Sequence, residues 1–388
     1  MCINFGLSRA DFRQQYQEKQ PLLIKGAVDP AGFTWGDVNT LFERCNVADD
    51  SFKLAYEGIR PKHEYVERYL DIGTLRHRLV KPVVYAYMRK GATLIANKIK
   101  HEPKVSAFAR AVGEFTGRQV VSSAYAAFGR RSSFRCHWDT RDVFAIQLIG
   151  RKRWLVYPPS LESPLHTQQS RDYEDRYPCP SAPCMDIVLE PGDVFYLPRG
   201  WWHDPLPLGE GCFHLALGTF PAYAADYLAW SVRQMHDCLA VRRSLDHWTQ
   251  DQHLMADIGL LVSEFVQAPE NYQRFMEQFH AGKRDEAALA LEHFGDPAKD
   301  LVDEQAGLQL RAHSSYGLEQ DYLIHDGKKL VLEPRIADLM RRIAESPGLP
   351  VSTWLEQSPV EDKQLLRELL TQFCRQEVLA VSDPAVTM

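Results

Sequence analysis

Two short strings constrain this chain more than anything else in it. The first is His137, Trp138, Asp139. The second, GDVFYLPRGWWH, runs from Gly192 to His203 and places its histidine 66 positions after His137. Two histidines and one carboxylate can hold an octahedral metal on one face and leave the opposite face open to reactants. On a strand, His137 and Asp139 share a face while Trp138 points away, so a rigid element can present both ligands together. A lone His-x-Asp arises often by chance; the second string gives it weight. Gly192 and the Pro198–Gly200 stretch supply tight turns at either end of a strand over Asp193–Leu197, which delivers His203 from a neighbouring strand. A β-barrel or sandwich brings the two strings together.

The surroundings agree with that reading. From Gln119 to about Phe220 the chain alternates short β-rich runs (120–121, 143–149, 154–157, 193–197 and 212–217) with Pro and Gly turns, the spacing of a sandwich or barrel. Before it, Ser8 caps a helix predicted over residues 8–20, a strand follows at Pro21–Lys25 with a turn at Gly26, and residues 30–115 mix short helices and strands. After Phe220 the strands stop. Leu228, Val232, Met235 and Leu239, then Leu254, Ile258, Leu261 and Phe265, recur at helical spacing and define a helical block over 222 to about 300. The block reads either as a packing appendage or, the favoured reading, as a dimerisation module. The last 80 or so residues read as a separate α+β unit. Ile336, Leu339, Met340 and Ile343 give one helix its core face. Ser358, Pro359 and Glu361 form a capping box for a second, faced by Leu365, Leu366, Leu369, Leu370 and Phe373, and Val378–Val381 is a strand. Helix, helix, strand is compatible with a winged helix.

A length of 388 residues suggests two or three domains, and 45% hydrophobic with 11% aromatic residues can build large cores. A net charge of −6 argues against a nucleic acid as the main ligand, although Arg130, Arg131 and Arg135 form a local basic patch. The N-terminus lacks the pattern of a signal peptide, and no run of about 18 apolar residues offers a membrane span. Eight scattered cysteines fit a reducing compartment, so the cytoplasm is expected. The local pair Cys179 and Cys184 lacks a partner pair at zinc spacing and reads as structural or incidental.

The string Gly-x5-Pro-x-Gly-x2-His resembles the second motif of the cupin superfamily, and His137-x-Asp139 with Gly150 downstream resembles the first. Where many cupins carry a further glutamate ligand this chain has Val143, and Pro207 stands where an asparagine is frequent. Three ligands without the fourth is the pattern of the JmjC hydroxylases. His137, Asp139, Asp142, Phe144, Gln147, Gly150, Lys152 and Trp154, with the later stretch from Leu189 to Gly200, resemble the ribosomal oxygenases within that group. The resemblance implies a double-stranded β-helix (a jelly-roll barrel) over residues 1–221 with its N-terminal elaboration. A helical dimerisation region over 222–304 and a winged-helix-like domain over 305–388 would follow, making the whole chain α+β.

It further implies Fe(II) on His137, Asp139 and His203, with 2-oxoglutarate as co-substrate. Lys152 stands where that family places a cation for the far carboxylate of 2-oxoglutarate; the competing reading makes Arg151, Lys152 and Arg153 an exposed basic turn. Tyr125 and His214 are the further co-substrate candidates, with a core role for His214 equally open. Ser123 stands where asparagine is frequent among relatives. Trp201 and Trp202 read either as substrate rim or as packing.

The activity implied is hydroxylation of a protein side chain, arginine or histidine, in a ribosomal protein, by a homodimer with no membrane partner. The same chemistry on another protein or a small peptide is the near alternative, and lysine demethylation ranks below it. A metal-binding regulator without turnover, or a cupin isomerase using Mn or Zn, belongs to a different class. The lysine argues against the first and the missing fourth ligand against the second.

Overall fold

The computed structural model describes residues 2–130, 135–282, 288–311 and 316–382. The chain divides into two compact units, Met1–Phe220 and Pro221–Met388. In the first, the described residues form twelve strands: β1 (Leu22–Ile24), β2 (Phe52–Ala55), β3 (Val66–Asp71), β4 (Thr74–Leu79), β5 (Thr93–Asn97), β6 (Gln119–Ala127), β7 (Asp142–Ile149), β8 (Lys152–Tyr157), β9 (Met185–Leu189), β10 (Val194–Leu197), β11 (Trp202–Pro207) and β12 (Cys212–Phe220). Seven build one antiparallel sheet in the order β1-β10-β7-β12-β6-β5-β2, three build a second in the order β11-β8-β9, and β3 with β4 makes a separate hairpin.

Period-two alternation assigns each face of the large sheet. Phe144, Ile146 and Leu148 of β7 and Phe213, Leu215 and Leu217 of β12 turn outward into a core shared with the helices Arg9–Gln15, Trp35–Arg44 and Pro103–Thr116. Phe12, Leu41, Phe108 and Val112 come from those helices, and Phe12 meets the Tyr196 ring edge-on at 4.9 Å. The inward residues of both sheets (Ala145, Phe195, Leu197, Trp154, Val156 and Leu189) pack on one another, which closes the two sheets into a barrel. Register across β6, β12 and β7 sets Tyr125 opposite His214 and His214 opposite Gln147, so these three line the barrel interior in one row.

Local signals placed most of this, with corrections at the ends. Ser8 accepts from the Asp11 N–H as expected, but the helix stops at Gln15 rather than 20, and the left-handed φ of Glu18 turns the chain toward β1. The strand β9 was not anticipated, and β11, expected only as the neighbouring strand that delivers His203, had no predicted bounds: Met185–Leu189 alternates half-buried with exposed residues, and Trp202–Pro207 contains two prolines. Edge position explains both, since β9 and β11 flank β8 and a proline costs an edge strand no ladder bond on its free side.

The second unit begins with helices Ala224–Gln234, Trp248–Gln267, Pro269–Ala281 and Leu291–Phe294. It continues with β13 (Gly307–Leu310), β14 (Tyr322–His325), β15 (Lys328–Val331), β16 (Leu349–Pro350) and β17 (Leu379–Ser382), and helices Pro334–Glu345, Val351–Gln357 and Lys363–Arg375. The sheet order β16-β13-β17 is antiparallel, and β14 pairs with β15 as a hairpin. Ile336, Leu339, Met340, Ile343, Leu366, Leu370, Phe373 and Trp354 fill its core. The expected capping box is corrected: Asp362, not Ser358, caps Lys363–Arg375 by accepting from the Leu365 N–H at 2.9 Å, while Ser358 Oγ closes a short turn onto Val360 N. The helix therefore starts a turn later, and Leu365 lies in its exposed first turn.

Candidate metal centre

The expected strand carrying His137 and Asp139 is not a strand. His137 makes an isolated bridge to His203, its N–H donating to the His203 carbonyl at 3.1 Å and its carbonyl accepting from the His203 N–H at 2.8 Å. This hydrogen-bonded pairing holds the two imidazoles side by side, with ring centroids 4.3 Å apart. The Pro198–Gly200 turn makes the meeting possible, because it carries the chain from β10 in the large sheet to β11 in the small one. Gly200 takes a φ of +86°, and a Cβ there would lie 2.6 Å from the Leu161 carbonyl oxygen. Its N–H donates to the Asp139 carbonyl at 3.0 Å, tying the turn to the third member of the group. Trp138 points away, as alternation predicts, and is buried edge-to-face on Trp202 at 4.6 Å with its Nε1 donating to the Gln168 carbonyl.

One ligand atom from each of His137, Asp139 and His203 lies within 4.8 Å of the others, and no other such group of histidine, cysteine or acidic side chains occurs among the described residues. Nδ1 of His137 faces the Arg135 carbonyl at 2.9 Å and Nδ1 of His203 the Trp201 carbonyl at 3.0 Å. A carbonyl only accepts, so in the neutral rings each Nδ1 carries the proton and each Nε2 presents its lone pair. Nε2 of His203 lies 3.7 Å from Asp139 Oδ2. Burial, with the neighbouring His137 adding, lowers the His203 pKa to about 4, partly opposed by Asp139. Burial works against ionisation of Asp139 too, but Arg141, His203 and His137 outweigh it and hold its pKa below the ordinary value. At neutral pH His203 is thus a neutral imidazole and Asp139 a carboxylate, and with the His137 imidazole they make a donor set that suits a divalent metal.

Behind it the barrel wall is chemically specialised. β8 sends Lys152, Trp154 and Val156 inward and is antiparallel to β11, with Val156 opposite His203, Trp154 opposite Pro205 and Lys152 opposite Pro207. Lys152 thus lies four residues further along the wall than His203, about 13 Å at the usual strand rise. The basic-turn reading is divided by alternation. Arg151 and Arg153 are outside, paired with Glu210 at 3.1 Å and Asp186, whereas Lys152 is 4% exposed. No ion pair of Lys152 is found among the described residues. Burial lowers its pKa, partly offset by Cys212 and Asp204.

His214 stacks on Tyr125 at 4.9 Å and meets Trp154 edge-on at 5.9 Å. Burial and the Lys152 charge hold its pKa well below that of a free imidazole. Burial, helped by Asp139, pushes the Tyr125 phenol up to about 12. The buried His214 Nδ1 and Trp154 Nε1 have no hydrogen-bond partner among the described residues. Two orphaned polar atoms beside a buried ammonium fit a polar ligand with an anionic end, since such groups are otherwise costly to bury.

The expected site residues therefore converge: His137, Asp139 and His203 at one level, with Tyr125, His214 and Lys152 on the inner wall. Ser123 is buried on the same face of β6, one alternate position from Tyr125. Trp202 is packing, its Nε1 donating to Ser160 Oγ at 2.8 Å, and Trp201 packs against the core between the sheets. Sequence reasoning missed Arg141, whose Nη2 lies 3.8 Å from Asp139, and Trp154 as a wall residue whose ring stacks on His203 at 5.7 Å. Strand alternation from Lys152 was the available signal for Trp154. It also missed the bulge between Phe213 and His214, which sets His214 opposite Gln147; the Gln147 amide donates to the carbonyls of Ile149 and Gly150 there. Of the basic patch, Arg131 lies outside the described residues; Arg135 is exposed and pairs with Glu174 at 3.4 Å.

Residues 94–227 match the JmjC domain family. Among curated proteins, the bifunctional lysine-specific demethylase and histidyl-hydroxylase NO66 of Drosophila persimilis is 25% identical over 226 residues, 55% of this chain and 30% of that protein. The Drosophila melanogaster protein of the same name is 28% identical over 290 residues, 70% of this chain and 44% of its own. Ribosomal oxygenase 2 of Rattus norvegicus is 35% identical over 122 residues, 30% of this chain and 25% of the rat protein. The match thus spans less than half the length of each of these relatives. Among solved structures, the Escherichia coli ribosomal oxygenase YcfD, determined with cobalt and succinic acid, superposes with a TM-score of 0.58 at 18% identity, covering 98% of this chain and 99% of that one. The fold is shared; YcfD has also been determined with cobalt and 2-oxoglutarate, with a TM-score of 0.55.

Proposed function

We propose that this chain, whose residues 94–227 match the JmjC domain family and which is similar to ribosomal oxygenases, is an Fe(II)- and 2-oxoglutarate-dependent protein hydroxylase. The observation that carries the reading is the convergence of His137, Asp139 and His203 within 4.8 Å, with a buried cation, Lys152, further along the same inner wall. In this reading the three side chains hold the metal by Nε2, a carboxylate oxygen and Nε2. Lys152 takes the far carboxylate of 2-oxoglutarate, and Tyr125 and His214 flank it. Bound iron with this co-substrate supplies oxidative decarboxylation to succinate coupled to insertion of one oxygen atom into a C–H bond.

The protein's own contribution is orientation and exclusion. The carbonyls of Arg135 and Trp201 hold both imidazole orientations, so neither ring has to turn to coordinate. The depressed His203 pKa keeps protons from competing for its lone pair. Trp154, Val156, Phe195 and Leu197 keep the wall dry, which strengthens the attraction between Lys152 and an incoming carboxylate.

A ribosomal-protein side chain is the substrate we favour, histidine on the strength of the relatives' names and arginine on the sequence resemblance alone. Those names also carry lysine demethylation, which is the second reading. The C-terminal sheet and helices of residues 305–388 we read as winged-helix-like. The helical region 222–304 we read as a dimerisation surface, because Leu228, Val232, Leu239, Leu245, Trp248 and Leu260 are all about half exposed or more. No helix among the described residues is long and apolar enough to cross a membrane, and we place the protein in the cytoplasm, acting on protein rather than nucleic acid.

The test is anaerobic loading with Fe(II), addition of oxygen and 2-oxoglutarate, and mass spectrometry of ribosomal proteins. Succinate together with a peptide heavier by one oxygen is the expected result; a methyl loss from lysine would favour demethylation. Absence of succinate from folded, metal-loaded protein would overturn the enzyme reading in favour of a metal-binding regulator.

A further inference from the structure

Cys179 reads from the sequence as the neighbour of Cys184. In the fold its neighbour is Cys136, 43 positions away, with the two Sγ atoms 3.3 Å apart. All eight cysteines are free thiols, and this is the one thiol–thiol contact found among the described residues. Cys184 instead directs its Sγ to the Val156 carbonyl.

The position of the pair gives it consequence. Cys136 lies between Arg135, whose carbonyl orients His137, and His137 itself. Cys179 lies in the long connection between β8 and β9, which already holds the ligand-bearing segment at two points. Trp138 Nε1 donates to the Gln168 carbonyl at 3.0 Å, and Arg135 pairs with Glu174 at 3.4 Å. A covalent bond between the sulfurs would be a third tie, one residue from a metal ligand.

We propose that Cys136 and Cys179 are a redox modification site: hydrogen peroxide converts them to a disulfide that displaces the His137 segment and loosens the metal centre. One thiol attacks the peroxide O–O bond, giving a sulfenic acid and water. The second sulfur then attacks the sulfenic sulfur, the S–S bond forms and a second water leaves. The two thiols lose two electrons and two protons, and the peroxide is reduced to two waters. The sulfurs must close from 3.3 Å to about 2.05 Å. That is a shift of more than an ångström next to a ligand whose metal distance tolerates about 0.2 Å. Burial raises the Cys179 pKa, which lowers its thiolate fraction and slows its attack on peroxide.

The test uses the full-length, metal-free protein, reduced and then treated with hydrogen peroxide under chelator. Non-reducing peptide mapping should find the Cys136 and Cys179 peptides joined, and dithiothreitol should separate them. Co(II) titration, followed by its absorption bands, should show affinity roughly tenfold lower in the oxidised form, the lower end of what disturbed supports of metal ligands cost. Cys179→Ser, which leaves the ligand segment unaltered, should form no such link and keep its Co(II) affinity after peroxide. If the two thiols oxidise separately, or the link forms with Co(II) affinity unchanged, the proposal is overturned. Failure of the reduced protein to bind Co(II) would sink the metal-site reading instead, and the peptide map would still decide whether the pair closes.

Discussion

Replacing Lys152 by methionine should move stability and co-substrate affinity in opposite directions. The lysine is 4% exposed, its pKa is lowered by burial, and no ion pair compensates it among the described residues. A buried ion costs several kcal/mol after relaxation, and a methionine of similar length removes that cost while filling the same wall position. If only part of the penalty is recovered, the ligand-free protein gains about 2 kcal/mol, which raises the Tm of a unit this size by roughly 4–8 °C. In the proposed function the same substitution strips the far carboxylate of 2-oxoglutarate of its cation. Truncating one partner of a buried charge pair costs about 3 kcal/mol, or roughly 150-fold in affinity. Calorimetry of the metal-free protein measures the first effect, and the 2-oxoglutarate dependence of succinate formation the second. A variant that melts lower and keeps its 2-oxoglutarate requirement would show Lys152 to be a structural cation.

Gly200→Ala should destabilise the protein by about 2 kcal/mol and weaken metal binding, because its φ of +86° is strained for alanine and its Cβ would press on the Leu161 carbonyl. Gly259→Ala, in a helix with open space around the new Cβ, should be neutral or stabilising, and equal effects at both sites in urea unfolding would refute the steric argument. Stability of the metal-free protein should fall with acid. With His203 at about 4 in the folded state and about 6.5 unfolded, the unfolded chain binds more protons between those values, so stability present above about pH 6.5 is lost toward pH 4. His203 alone should cost about 2 kcal/mol at pH 5, with His214 acting in the same direction; an unchanged urea midpoint between pH 7 and 5 would contradict this. Leu228→Glu combined with Leu260→Glu should halve the mass in solution by light scattering if the exposed helical face is a dimer contact, and an unchanged mass would remove that role.

The sequence by itself determined the donor set and the strands that dominate the core. His137, Asp139 and His203 were legible because residue type and the intervening Pro and Gly turns encode them locally. β7 and β12, buried along nearly their whole length, were legible as short β-rich runs between Pro and Gly turns, and β8 alternates buried with half-buried positions. Alternation also limited the basic run at 151–153 to one inward member or two, and only the sheet pairing decided that Lys152 was the one. Edge strands such as β11, with its two prolines, carry no such pattern, since their identity lies in the partner they pair with.

What only the tertiary structure decided is which residues become neighbours across the barrel. The His137–His203 bridge, the bulge that sets His214 opposite Gln147, the Trp154 ring against His203 and the Cys136–Cys179 contact all join segments tens of residues apart. No local propensity encodes them, because they are fixed when the two sheets close on their shared core and the register of each strand is chosen by the face it must bury.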